Sequence, residues 1–194
     1  MAGGGGDLYN AITPVFKALA NGLANEPDLF KQLKFYFIGT SYTPSRQDIQ
    51  NIMPLAKVYG VENNVIEIPQ RISYYHTLLT LQQADALFIP GSDHEGYTAS
   101  KIYPCLLTKK PLLAIFNSES PALNVLQEYE AKFAYSYDKT ADMETKTLAF
   151  LKQVLNDSFT LQVYNKQAIE KYDATNMTRR QCKLFNRVLN KDNE

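Results

Sequence analysis

Apolar positions along this chain change period repeatedly, from helical spacing to short buried runs and back. Between residues 7 and 24, Leu8, Ile12, Phe16, Leu19 and Leu23 recur three or four apart and predict a helix with one core-facing side. Asp7 is placed to cap it, and Pro14 disturbs a clean start. Residues 33–39 read as a strand ending at Gly39. Residues 45–59 predict a helix through Ile49, Ile52, Leu55, Ala56 and Val58, where Pro54 signals a kink or a late start. Residues 65–68 are a short strand, and 73–84 a helix capped by Ser73 that buries Leu78, Leu79 and Leu81. A strand at 86–89, a helix from Ser100, a strand at 111–116, a short helix at 121–128 and a strand at 133–137 follow. Three helical segments close the chain, at 142–155, 161–172 and 178–189. In the last, Cys182, Phe185, Val188 and Leu189 form one apolar stripe opposite Arg179, Lys183 and Arg187.

Strands and helices that alternate with short connections predict an α/β fold: a parallel sheet with helices on both faces and a C-terminal helical extension. With 194 residues and no interior linker, one domain over 1–194 is the simplest division, its closing helices in 157–194. Twenty basic residues balance twenty acidic ones, so no general attraction to nucleic acid is expected. No run is long enough to span a bilayer, and the first residues lack a signal-peptide pattern, which points to a cytoplasmic protein. Cys105 and Cys182 both sit in apolar helical patterns, where buried thiols are the expectation. With two histidines, His76 and His94, and no Cys/His cluster, no metal site is expected.

The candidate chemistry gathers where strands end. Ligands of parallel sheets bind beyond the carboxyl ends of strands, where strand order reverses. Gly39 and Thr40 end one strand and Ser92 follows another, so the two turns are candidates to flank one crevice. Pro104 is best tolerated near a first helical turn, which makes Ser100 the expected N-cap. The amides of Lys101, Ile102 and Tyr103 would then face outward beside the Lys101 ammonium, an arrangement that attracts phosphate. Arg71, after the strand at 65–68, offers a guanidinium fork to a diphosphate, or an ordinary surface salt bridge. Asp93, His94 and Glu95 lie in a polar loop suited to sugar hydroxyls or proton transfer, and equally to plain solvation. Gly3 to Gly6 is a weak candidate for a phosphate cradle, because no phosphate-binding glycine motif is complete. Neither histidine has an evident orienting carboxylate, and Ser92 lacks a nucleophile-elbow setting.

The run Ala84-Asp85-Ala86-Leu87-Phe88-Ile89-Pro90, the acidic–glycine loop after it, Lys101-Ile102-Tyr103, and Lys110-Pro111-Leu112-Leu113-Ala114-Ile115 together resemble a known family. They are similar to the C-terminal, donor-binding half of retaining glycosyltransferases with the two-domain GT-B architecture. Phe37-Ile38-Gly39 and residues 65–71 resemble earlier strands of that half, and the closing helices the segment that crosses back over the partner domain. The resemblance is clearest from about residue 33 to 114. It implies a Rossmann-like domain that binds a nucleotide-sugar as donor substrate, with no other cofactor. Glu95 would contact the donor sugar, and the amides of Tyr97, Thr98 and Ser100, next to Gly96, would receive the diphosphate. Arg71 and Ile72 would lie near the base, and Glu95, Lys101 and Arg71 would carry the chemistry.

Departures from the family are specific. The glutamate that holds the ribose falls at Tyr103 or Pro104, the glycine before the next proline is Lys109, and the early basic pair is missing. The family's central strand would precede the glycine-rich start, and the acceptor-binding N-terminal half is not in this sequence. The expectation is therefore a truncated transferase, incomplete by itself. Two alternatives remain: a non-catalytic interaction module that keeps the fold, or half of a sugar-nucleotide epimerase.

Overall fold

The computed structural model describes residues 5–41, 49–159 and 165–191. Element order is α1 (Tyr9–Asn25), α2 (Pro27–Phe30), β1 (Phe35–Ile38), α3 (Met53–Val58), β2 (Val65–Ile68), α4 (Tyr74–Gln83) and β3 (Leu87–Pro90), then α5 (Ile102–Leu107), β4 (Leu112–Phe116), α6 (Pro121–Glu128), β5 (Phe133–Ser136), α7 (Met143–Leu155), α8 (Lys166–Lys171) and α9 (Ala174–Lys191). All strand pairings are parallel, as the α/β pattern predicts. Hydrogen bonding divides the strands into β1–β2 and β3–β4–β5.

Strand β4 shows why this part of the sheet needs helices on both faces. All five of its residues are buried. Leu113 and Ile115 point into a core shared with α1 and α7, whereas Leu112, Ala114 and Phe116 point into a second core with α5 and α6. A period-2 strand with both faces apolar has no side left for water. The first core also joins the two sheets: Ile12, Val15, Phe16 and Leu19 of α1 meet Phe37 and Val65 as well as Leu113, Ile115 and Phe133. Phe16 packs edge-on against Phe37 with ring centroids 6.1 Å apart. Around α7, Phe133, Phe150 and Phe159 form a mutual aromatic trio with centroids 5.1–5.7 Å apart.

Several local expectations change. Asp7 does not cap α1: a single 3-10 turn, Gly5–Leu8, precedes the helix, and Leu8 is its N-cap without a side-chain bond. Pro14 falls inside α1. The helix expected at 45–59 shortens to α3, with Pro54 near its start, the late-start alternative; residues 45–48 lie outside the described residues. Ser73 caps α4, its Oγ accepting from the His76 amide at 3.3 Å. That helix buries none of its residues fully, and Leu79 is exposed beside Tyr74 and Tyr75. Of the helix expected at 161–172, residues 161–164 lie outside the described residues and α8 covers the remainder. Cys105 is buried as expected, but Cys182 is exposed, together with the apolar stripe it belongs to.

Candidate functional site

At the ends of β1 and β2 the backbone brings three of the predicted residues together. Gly39 takes φ 73, the left-handed region that favours glycine, and its amide donates to the Ile68 carbonyl at 2.8 Å. A Cβ on Gly39 would lie 3.6 Å from Arg71 Cγ, so Arg71 covers this turn. Thr40 is buried, and its hydroxyl donates to Glu67 Oε1 at 2.6 Å. Glu67 also accepts from the amides of Asn51 at 2.7 Å, Ile52 at 2.9 Å and Met53 at 2.8 Å. The buried carboxylate therefore caps α3 and saturates its acceptor capacity with four donors. Sequence reading missed this residue. The alternation within Val65–Ile68 put Glu67 on the same side as Val65, and a lone carboxylate facing the core was the available signal.

The connection from β3 to α5 carries most of the remaining candidates. Gly91 is required by packing, since a Cβ there would lie 2.5 Å from Phe116 Cδ1 and 2.8 Å from Phe116 Cα. Ser92 is buried, with its Oγ accepting from the His94 amide at 3.3 Å. The Tyr97 amide donates to the His94 carbonyl at 3.0 Å, and Ser120 Oγ donates to the Tyr97 carbonyl at 2.8 Å. Glu95, Gly96, Thr98 and Ser100 are exposed along this loop. Ile72 is exposed next to Arg71. His94 Nε2 lies 3.9 Å from Asp7 Oδ2, a carboxylate that sequence spacing did not signal and too distant for a hydrogen bond.

The helix mouth expected at Ser100 differs. Helix α5 begins at Ile102 with Lys101 as N-cap, and Ser100 makes no side-chain cap. Among the three amides expected to face outward, that of Ile102 already donates to the Ala99 carbonyl at 3.0 Å, and Ile102 is buried. Ala99 is buried too, and its carbonyl closes a tight turn that leads the chain into α5. Tyr103 packs on Tyr172, just after α8, with ring centroids 5.2 Å apart. Lys101 is drawn inward: burial lowers its pKa from the ordinary 10.5 to about 8, against the opposing pull of Cys105. Burial likewise pushes the Cys105 thiol from 9.0 up to about 11, with Lys101 working the other way. At the far end of α5, Lys109 adopts φ 57. That left-handed conformation costs a residue other than glycine about 1–2 kcal/mol.

The first turn of α1 links the two groups of residues. Tyr9 Oη donates to the Asn51 carbonyl at 2.8 Å, and Asn51 Nδ2 donates to the Thr40 carbonyl at 2.9 Å. One residue on, Asn10 Nδ2 donates to Asp93 Oδ1 at 3.0 Å, and the Asp93 amide donates to the Asp7 carbonyl at 2.9 Å. The turn after β1 and the loop after β3 thus meet on either side of one helix start. Tyr137, after β5, closes the same end; burial raises its phenol's pKa, and Asp93 adds to that. Gly39, Thr40 and Arg71 are joined directly, while Ser92 and its loop reach them through α1. Among the described residues, no group of three or more His, Cys, Asp or Glu is arranged to hold a metal ion. Compared with known protein families, curated proteins and solved structures, the chain matches none.

Proposed function

We propose that the chain is the donor-binding domain of a two-domain glycosyltransferase and seats a nucleotide-sugar where its strand order reverses. One observation carries the reading: the first turn of α1 hydrogen-bonds both to the network after β1 and to the loop after β3, beyond the carboxyl ends of both strands. In parallel α/β folds a crevice at that point is the usual ligand site. Arg71 supplies the guanidinium for the diphosphate, and exposed Glu95 faces sugar hydroxyls. Lys101, largely buried, holds a proton that an arriving diphosphate would stabilise. Together the two cations would oppose charge building on the leaving group during transfer. In this reading the acceptor-binding half comes with the rest of the enzyme.

The test is calorimetric titration of the folded chain with UDP, GDP and their sugar conjugates at pH 8, in buffers of different ionisation enthalpy. Binding should take up protons, because a nearby anion raises the Lys101 pKa. Arg71→Ala should weaken it by about 1–3 kcal/mol, the range of a charged hydrogen bond. A folded chain that gives no heat with any of these ligands would sink the proposal.

A second reading, a non-catalytic interaction module, draws on how much of the polar machinery is already engaged. The Thr40 hydroxyl serves Glu67, Ser92 Oγ accepts from its own loop, and the Ile102 amide serves Ala99. It predicts a stable protein partner and silence in the same titration.

A further inference from the structure

We propose that α9 is an interfacial helix that lays the protein on an anionic lipid surface. At 100° per residue, Leu184, Met177, Val188, Phe185, Leu189 and Cys182 fall within an arc of about 160°. The rest of the circumference carries Arg179, Arg180, Lys183, Arg187 and asparagines, and residues 174–191 hold five basic residues and no acidic one. The apolar arc is open to solvent, from 48% exposed at Met177 to 64% at Leu189, with Leu184, Phe185 and Val188 between. The helix start is held to the segment before it: Asp173 Oδ1 accepts from the Asn176 amide at 2.6 Å, and Asn176 Nδ2 donates to the Glu170 carbonyl at 2.7 Å.

An isolated 18-residue helix carrying three Asn and two Thr is marginal in water, so its order calls for a surface to cover the apolar arc. Charge selects which surface. A uniformly cationic polar face flanking Phe and Leu matches negative headgroups without demanding a fixed register. The remainder of the sequence opposes this charge: outside residues 174–191 it holds fifteen basic and twenty acidic residues, two of the acidic ones at Asp192 and Glu194. An anionic surface would therefore attract α9 and repel the body, holding the molecule by its last helix. This attachment is independent of nucleotide binding.

Co-sedimentation of the full chain with vesicles tests it. Vesicles of phosphatidylcholine with about one-third phosphatidylserine should bind the protein at least about tenfold more tightly than pure phosphatidylcholine, with the advantage lost in high salt. The double variant Phe185→Glu/Leu189→Glu should lose at least about tenfold in vesicle affinity, with the thermal melt of the body unchanged. Lys183→Glu/Arg187→Glu should do the same while keeping the apolar arc. Equal affinity for both vesicle types, or none for either, overturns the proposal. So does self-association in sedimentation equilibrium that Phe185→Glu abolishes without any vesicle binding, since the arc would then belong to a second copy.

Discussion

Replacing Lys101 with methionine should make this protein more stable, because the lysine charge is held where burial opposes it. The drop from 10.5 to about 8 measures that opposition. At about 1.4 kcal/mol per pH unit it sets a ceiling of about 3 kcal/mol on the penalty of keeping Lys101 charged. Lys101 keeps partial contact with solvent, so a gain of about 1–2 kcal/mol at pH 7 is the working expectation. The sign of the pH dependence follows from linkage. Between about 8 and 10.5 the unfolded chain holds more of this proton than the folded one, so parent stability rises with pH through that window. Cys105 acts oppositely between 9.0 and about 11, where the folded thiol keeps its proton longer and stability falls. The informative interval is therefore pH 7 to 9, where the lysine contributes a rise of about 1.3 kcal/mol and the thiol a loss of about 0.4 kcal/mol. Urea unfolding of parent and Lys101→Met at both pH values measures it, with equal m-values required for a like comparison. The variant's advantage should shrink by about 1.3 kcal/mol from pH 7 to 9. A variant no more stable than the parent at pH 7, with a gap indifferent to pH, would refute the reasoning. If the gain is found and nucleotide binding is weakened, the buried charge is one that stability alone would not retain.

Glu67→Ala would leave Thr40 and three amides at the α3 start without their acceptor, and chemical denaturation should show a loss of about 3 kcal/mol. Gly91→Ala must displace Phe116 or its backbone, so a loss of about 1–3 kcal/mol is expected from overpacking, read as a lower thermal midpoint. Thr147 is fully buried with no hydrogen-bond partner for its hydroxyl among the described residues. Thr147→Val should therefore stabilise by about 1 kcal/mol in urea titration.

Much of the local structure follows from residue order alone. Period-2 and helical spacing located all five strands within two residues or so of their ends, because a run such as Leu112–Phe116 has no polar side and must be buried on both. Pro54 and Ser73 marked helix starts through chemistry confined to one turn, a missing N–H and a hydroxyl that accepts one. Which strands pair, and that hydrogen bonding splits them into β1–β2 and β3–β4–β5, depends on contacts between residues far apart in the chain, and spacing carries no record of them. The same holds for the candidate site. Gly39 and Arg71 were legible as strand ends, but their contact, the cap that Glu67 forms on α3 and the bridge from Asn10 to Asp93 exist only once the chain is folded. Burial likewise decided against Ser100 as a cap: Ala99 and Ile102 are both apolar and both pulled inside, so the chain turns between them and Lys101 takes the helix start. For α9 the division is reversed. Its amphipathic pattern was plain in the sequence, and the tertiary structure left Met177, Leu184, Phe185, Val188 and Leu189 exposed, which spacing could not show.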